Sequence, residues 1–247
     1  MRRIMMVIAY DGTNYCGWQI QPNCVTVEDT INKTLSRLLG ESIRVLGVSR
    51  TDSGVHALGN VAVFDTTAKI QAEKVAFALN TKLPKDIRIQ ESYEVALDFH
   101  PRYAKSHKIY EYKIWNHTFL DPTKRLYSLF HYIPLDIELM KRAAQYLVGE
   151  HDFKSFCAAK TDVVVTIREI YSIDITQEDK MITIRVKGNG FLYNMIRIIV
   201  GTLMNVGAKV YEPEYIKEIL EAKDRNKAGP TVRPEGLTLV KIGYKMR

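Results

Sequence analysis

The chain has 247 residues, 46% of them apolar and 26% charged. That is the make-up of one large or two smaller folded domains, and the glycine and proline content excludes a collagen-like or low-complexity chain. The formal charge is +7, most of it after residue 105, which suits a polyanionic partner such as nucleic acid without establishing one. Three cysteines, Cys16, Cys24 and Cys157, cannot all pair with one another, and no Cys/His spacing fits a zinc site. A reducing compartment, the cytoplasm, is the simplest reading. The N-terminal apolar run Ile4–Ala9 is too short for a signal-peptide core, and no apolar stretch approaches the length of a membrane span.

Ile4–Tyr10 is an apolar run of strand length, followed by a loop over 11–24 that carries Gly12, Asn14, Gly17, Pro22 and Asn23. Thr26 and Asp29 resemble a capping box. Val27, Ile31, Leu35, Leu38 and Leu39 then form one helical stripe that Gly40 ends. Strands are expected at 43–48, 61–64 and 87–93, with a helix over 71–81. This order is the split β-α-β-β-α-β unit of ferredoxin-like folds.

After a boundary near residues 100–107 the pattern changes little. Strands are expected at 109–115 and 126–133, and a helix from Asp136 to about Val148. A hairpin over 168–176 and 181–187 turns at Glu178 and Asp179. Helices over 191–206 and 213–222 and a closing strand at 237–242 complete the chain. The expectation is an α+β protein of two ferredoxin-like halves, residues 1–104 and 105–247, with mainly antiparallel sheets.

Between two expected strands lies GVSRTDSGVHALG, residues 47–59. Arg50, Thr51, Asp52, Ser53 and Gly54 have turn chemistry, and a turn-capping aspartate accounts for Asp52 on pattern alone. The loop also sets one carboxylate beside one guanidinium. A carboxylate so placed stays ionised, and an ionised, partly desolvated carboxylate can act as a nucleophile. Residues 99–113 interleave Arg102, Lys105, Lys108 and Lys113 with Phe99, Tyr103, Tyr110 and Tyr112. Cations bind phosphates and rings stack on unpaired bases, although a solvated linker has the same composition.

The segments YDGTNYCGWQIQPN at 10–23, TVEDTI at 26–31 and SRTDSGVHA at 49–57 together resemble the tRNA pseudouridine synthase A family. FHPRY at 99–103, IYEY at 109–112, GEHDFKSF at 149–156, NGFLYNMIRIIVG at 189–201 and EGLTLV at 235–240 extend the match over nearly the whole chain. The resemblance implies isomerisation of uridine to pseudouridine in the anticodon stem-loop of tRNA, at positions 38, 39 and 40. It also implies two halves joined into a central sheet with the active-site cleft between them, and a homodimer. Asp52 stands at the position of the family's nucleophile, whose attack on the ribose or the base ring lets the glycosidic bond break. The uracil then rotates, and a carbon–carbon bond replaces the carbon–nitrogen one. No cofactor or metal is implied, and the chain carries no P-loop or dinucleotide fingerprint.

Arg50 matches the family arginine that helps to extrude the target nucleotide. A guanidinium can stack and bind phosphate together, and it fills the gap that a flipped base leaves. Tyr110 matches the family's active-site tyrosine, which is expected to stack on the flipped uracil and to take part in proton transfer through its phenol, and Leu237 matches the apolar residue beneath the base. Arg197 interrupts an apolar helical stripe and needs a partner; the family suggests Asp52. RNA contacts are carried over to Phe99, His100, Pro101, Arg102 and Tyr103, and to the loop near Lys160. The chain departs from the family pattern at Gly59-Asn60, where Gly-Gln is common, and at Ser49 and Ser53, where Gly and Ala are common. Two other readings stand beside the enzyme. One is a non-catalytic RNA-binding module or tRNA chaperone on the same frame. The other is a hydrolase using Asp52 with a histidine, which no G-x-S-x-G or H-E-x-x-H supports.

Overall fold

The computed structural model describes residues 1–158 and 164–244. The chain folds into two compact units. One is Met1–Ser106 together with the chain from Thr238; the other is His107–Leu237.

The first unit is built on β1 (Arg2–Tyr10), flanked on both edges by antiparallel strands, β3 (His56–Thr66) and β4 (Ile87–Val95). Helices α1 (Val27–Leu39) and α2 (Ala72–Asn80) make the crossovers. The free edge of β3 takes two short partners. β2 (Leu46–Gly47) pairs antiparallel with it, through Gly47 opposite Ala62. β10 (Leu237–Tyr244) pairs parallel with its first residues, Thr238 opposite His56. The order β4-β1-β3-β2 is that of the ferredoxin-like unit. Ile4, Met6 and Ile8 of β1, Ile31 and Leu35 of α1, and Val75 and Leu79 of α2 are fully buried, so the alternating strand face and the two helical stripes form one core.

The helix signals act as expected at both ends of α1. Thr26 Oγ1 accepts from the Asp29 amide, and Gly40 closes the helix at φ 69° with its amide on the Ser36 carbonyl. The Asp29 carboxylate turns forward to Lys33, 2.6 Å away, so the side-chain half of the box serves an i,i+4 pair. The strand expected over 43–48 shrinks to two residues, because α1 satisfies its backbone instead. The Ile43 amide donates to Ser36 Oγ at 2.9 Å and the Val45 amide to Asn32 Oδ1 at 2.8 Å.

In the second unit, β5 (Ser106–Asn116) pairs antiparallel with β9 (Met181–Gly188). That strand pairs with β8 (Ile167–Glu178), and β8 with β7 (Gly149–Asp152). β6 (Leu129–His131) lies parallel to the end of β5. The β5-β9-β8 sequence of neighbours repeats part of the ferredoxin-like order. The β8–β9 hairpin turns where the sequence places it, with Asp179 at φ 53°. Helices α3 (Ile137–Gln145), capped by Asp136, α4 (Met195–Gly207) and α5 (Tyr215–Ala222) complete the unit. Three details depart from the sequence reading, the first being that the strand expected over 126–133 shortens to the three residues of β6. β7 is a further edge strand, and α4 begins four residues late, because Asn194 takes the left-handed conformation at φ 60°. The whole is α+β with mostly antiparallel pairing. No helix among the described residues is long and apolar enough to cross a membrane.

Candidate functional site

In the first unit, residues 48–55 connect β2 to β3 along the edge of the sheet. Burial alternates along this loop: Ser49 and Thr51 are buried, Arg50 is exposed and Asp52 is half-buried. Thr51 therefore faces the core, while the side chains on either side of it face out. Its hydroxyl lies 2.7 Å from the phenol of Tyr10 at the end of β1, and its carbonyl accepts from the Trp18 amide at 3.0 Å. Ser53 Oγ and the Gly54 amide both donate to the Tyr15 carbonyl, at 3.2 and 3.3 Å. Gly54, at φ 77°, makes the turn that returns the chain to β3.

The loop expected over 11–24 is the bed on which the Asp52 loop lies. Gly17 sits at φ 86° with its Cα so close that a Cβ would fall 2.5 Å from the Thr51 carbonyl oxygen. Gly12 lies against the Val55 carbonyl in the same way, and its amide donates to His56 Nδ1 at 3.1 Å. The Trp18 ring is buried, with its face against Gly47 and Tyr10. From the sequence this segment reads only as a loop. The positions of Gly12 and Gly17, two residues without a side chain facing 51–55, are the signal that two backbones meet there.

The FHPRY segment is in the same unit. Arg102 Nε donates to the Gly47 carbonyl, 2.8 Å away. Burial lowers the pKa of this guanidinium, and the neighbouring positive charge of Arg50 lowers it further, so two arginines share one region of the surface. His100 stacks on Tyr103 with ring centres 4.1 Å apart, and Tyr103 is 85% exposed. Phe99 packs edge-on against Tyr244, whose hydroxyl donates to the Pro101 carbonyl at 2.9 Å. The Phe99 carbonyl accepts from Arg3. The expected residues Arg50, Asp52 and 99–103 thus lie together in the first unit, joined through Gly47 and the loop that follows it.

Tyr110, Arg197 and Leu237 belong to the second unit. Tyr110 and Tyr112 are buried on the same face of β5, and the Tyr110 ring meets Phe191 edge-on at 5.4 Å. The Tyr112 hydroxyl donates to the Arg233 carbonyl at 2.6 Å. Burial pushes this phenol well up, with the Glu235 carboxylate adding to the effect and Arg197 and Arg233 opposing it, so Tyr112 is a neutral donor. Arg197 Nε donates to the Val232 carbonyl at 2.7 Å, and Nη1 to Asn194 Oδ1 at 2.9 Å. Gly236 rests on the Tyr112 ring, where a Cβ would come within 2.7 Å. Tyr112 and Arg197 thereby hold the segment 232–236, which leads directly into the buried Leu237. Tyr112, read from the sequence as one of the base-stacking rings of 99–113, is instead a buried support, and Asn194 is a support that the sequence reading did not single out. An alternating strand and a left-handed asparagine before a helix are weak signals by themselves. Lys160 lies outside the described residues.

The sequence profile described as tRNA pseudouridine synthase matches residues 6–104 and 143–245. A protein named tRNA pseudouridine synthase A from Thermoanaerobacter pseudethanolicus is 48% identical over 244 residues, covering 99% of this chain and 100% of its own. Proteins of the same name from Ruminiclostridium cellulolyticum and Brevibacillus brevis are 50% and 46% identical, with the same coverage. Among solved structures, the archaeal box H/ACA sRNP Nop10-Cbf5 complex contains a chain that overlaps at a TM-score of 0.35 and 12% identity. The overlap covers 91% of this chain and 60% of that one, and it is too low to speak for the fold.

Proposed function

The chain belongs to the tRNA pseudouridine synthase family, isomerases that convert uridine to pseudouridine in tRNA, and we propose that it acts in the anticodon stem-loop, at positions 38, 39 and 40, with Asp52 as the nucleophile. The observation that carries this reading is the inward anchoring of Thr51, which leaves Arg50 exposed on one side and Asp52 half-buried on the other.

Arg50 enters the helical stack as the target uridine leaves it, offsetting an extrusion cost of a few kcal/mol. Arg102 takes a phosphate nearby, while Phe99, His100, Pro101 and Tyr103 form the rest of that RNA-contacting segment, with Lys160 a further contact. Tyr110 stacks on the extruded uracil and Leu237 packs beneath it. Asp52 attacks the ribose or the ring, and Arg197 is a further catalytic residue. The N1–C1′ bond breaks, the base turns, C5 bonds to C1′, and the bond to the Asp52 carboxylate breaks so that Asp52 is regenerated. C5 then loses its proton to water while N1 gains one, so the reaction consumes no redox equivalent and transfers no group to another molecule. The working form is a homodimer in the cytoplasm.

The test is release of tritium from tRNA transcript labelled at C5 of uridine, with wild type and Asp52→Ala side by side. Release by wild type and none by the variant, with tRNA binding retained by both, is the expected result. No release by either protein while both bind tRNA would replace the enzyme with an RNA-binding module. Mapping the modified positions in the wild-type product tests the assignment to 38, 39 and 40.

A further inference from the structure

Asn60 is completely buried in the fifth position of β3. A buried amide must have partners at both its ends. Here Nδ2 donates to the Ser49 carbonyl at 3.0 Å and to the Tyr10 hydroxyl at 3.3 Å. Oδ1 accepts from the Ser49 amide at 3.3 Å and from the Val61 amide at 2.9 Å. One side chain therefore grips both polar groups of the Ser49 backbone. Through Tyr10 it also reaches Thr51, since the phenol that accepts from Asn60 lies 2.7 Å from Thr51 Oγ1. The residues held, 49 and 51, are both buried, and they alternate with Arg50, which is exposed, and Asp52, which is half-buried.

We propose that Asn60 and Tyr10 are positioning residues for the isomerisation: their relay to Thr51 sets the direction in which Arg50 and Asp52 are presented. The inference rests on the reading of Asp52 as nucleophile. It differs from a general packing role because it assigns the effect to two hydroxyls and an amide, not to the volume of the side chains. The Tyr10 ring, 5.9 Å from Trp18, can stay in place when its hydroxyl is lost. The relay also accounts for β3 carrying a polar residue where its neighbours Val61, Ala62 and Val63 are apolar and buried. In a strand interior such a residue is retained only if its hydrogen bonds are complete.

Tyr10→Phe and Thr51→Val each delete one hydroxyl and keep the shape. Single-turnover tritium release is measured for both, for the double variant, and for Asn60→Leu and Asn60→Gln. A misplaced nucleophile costs rate, so the rate constant should fall roughly tenfold to a hundredfold in Tyr10→Phe, with KM for tRNA changed less than twofold. The double variant should be no slower than the slower single one, because both remove the same contact. Asn60→Leu should fall at least as far, and Asn60→Gln, which restores an amide, should recover part of the loss. If wild type is active and Asp52→Ala is not, while Tyr10→Phe and Thr51→Val keep the wild-type rate, the positioning role is overturned. Loss expressed in KM alone, or additive losses in the double variant, would overturn it as well. If wild type releases no tritium, the failure belongs to the reading of the enzyme.

Discussion

Arg102 reaches back 55 residues to donate its Nε to the Gly47 carbonyl over 2.8 Å. One edge of the guanidinium is committed to the protein, and its charge is opposed by that of nearby Arg50 and favoured by that of Glu28. Two like charges near one another are unfavourable unless an anion lies between them.

If that anion is a tRNA phosphate, Arg102→Ala will weaken tRNA binding roughly threefold to tenfold. It will also reduce the slope of log affinity against log salt by about one. Filter binding across a salt series measures both. An unchanged slope would remove Arg102 from the phosphate contacts.

The two glycines with positive φ around the first helix separate backbone strain from close approach. Gly40 has φ 69° and nothing within 4 Å of where a Cβ would stand, whereas Gly17 has φ 86° and the Thr51 carbonyl at 2.5 Å. Gly40→Ala should cost about 1 kcal/mol. Gly17→Ala should cost about 3 kcal/mol or more and should also lower turnover, because it pushes the Asp52 loop off its bed. Thermal melts and rates of the two variants, compared directly, decide this. Equal losses would show that the contact between the two loops has no energetic weight.

Arg197 donates hydrogen bonds within its own unit, to the Val232 carbonyl and to Asn194. Removing the side chain leaves that carbonyl and the Asn194 amide oxygen without those partners, at a cost of about 1–3 kcal/mol. Arg197→Ala should therefore lower both the melting temperature and the rate. Arg197→Lys should recover charge but not the forked geometry, so it should restore less than half of either loss. A melting temperature unchanged in Arg197→Ala would contradict the role assigned to these bonds.

The pH dependence of stability has a defined contributor in Asp65. Arg3 donates Nε and Nη2 to its two carboxylate oxygens, at 2.7 and 2.8 Å. That pairing lowers the aspartate pKa against the opposing effect of burial. A carboxylate whose pKa is depressed by folding contributes stability above its unfolded pKa of about 3.9, and the contribution disappears as pH falls through the folded value. Asp65→Asn should melt about 2–4 °C below wild type at neutral pH, the shift expected for about 1 kcal/mol in a chain of this size. The gap should close as the pH is lowered below about 4. A gap independent of pH would mean that the ion pair is not its source.

The sequence alone carried the element order apart from β7, the helix stops, the β8–β9 turn and the motif that holds Arg50, Thr51 and Asp52. These features depend on residues close together in the chain: an apolar period, a threonine before a helix, a glycine after one, a tight turn between strands. Recognition of the family is local in the same sense, since it rests on short runs of residue types. What only the tertiary structure decided is how the loop is held. Tyr10, Trp18, Ser49, Thr51 and Asn60 come from three separate stretches, and nothing in a hydrophobic period tells a buried asparagine which backbone it will satisfy. The shortening of β2 has the same origin, because Asn32 and Ser36 can replace a strand neighbour only once α1 lies beside it. A buried polar group is satisfied by whatever the fold brings within about 3 Å, and that partner is set by packing, not by distance along the chain.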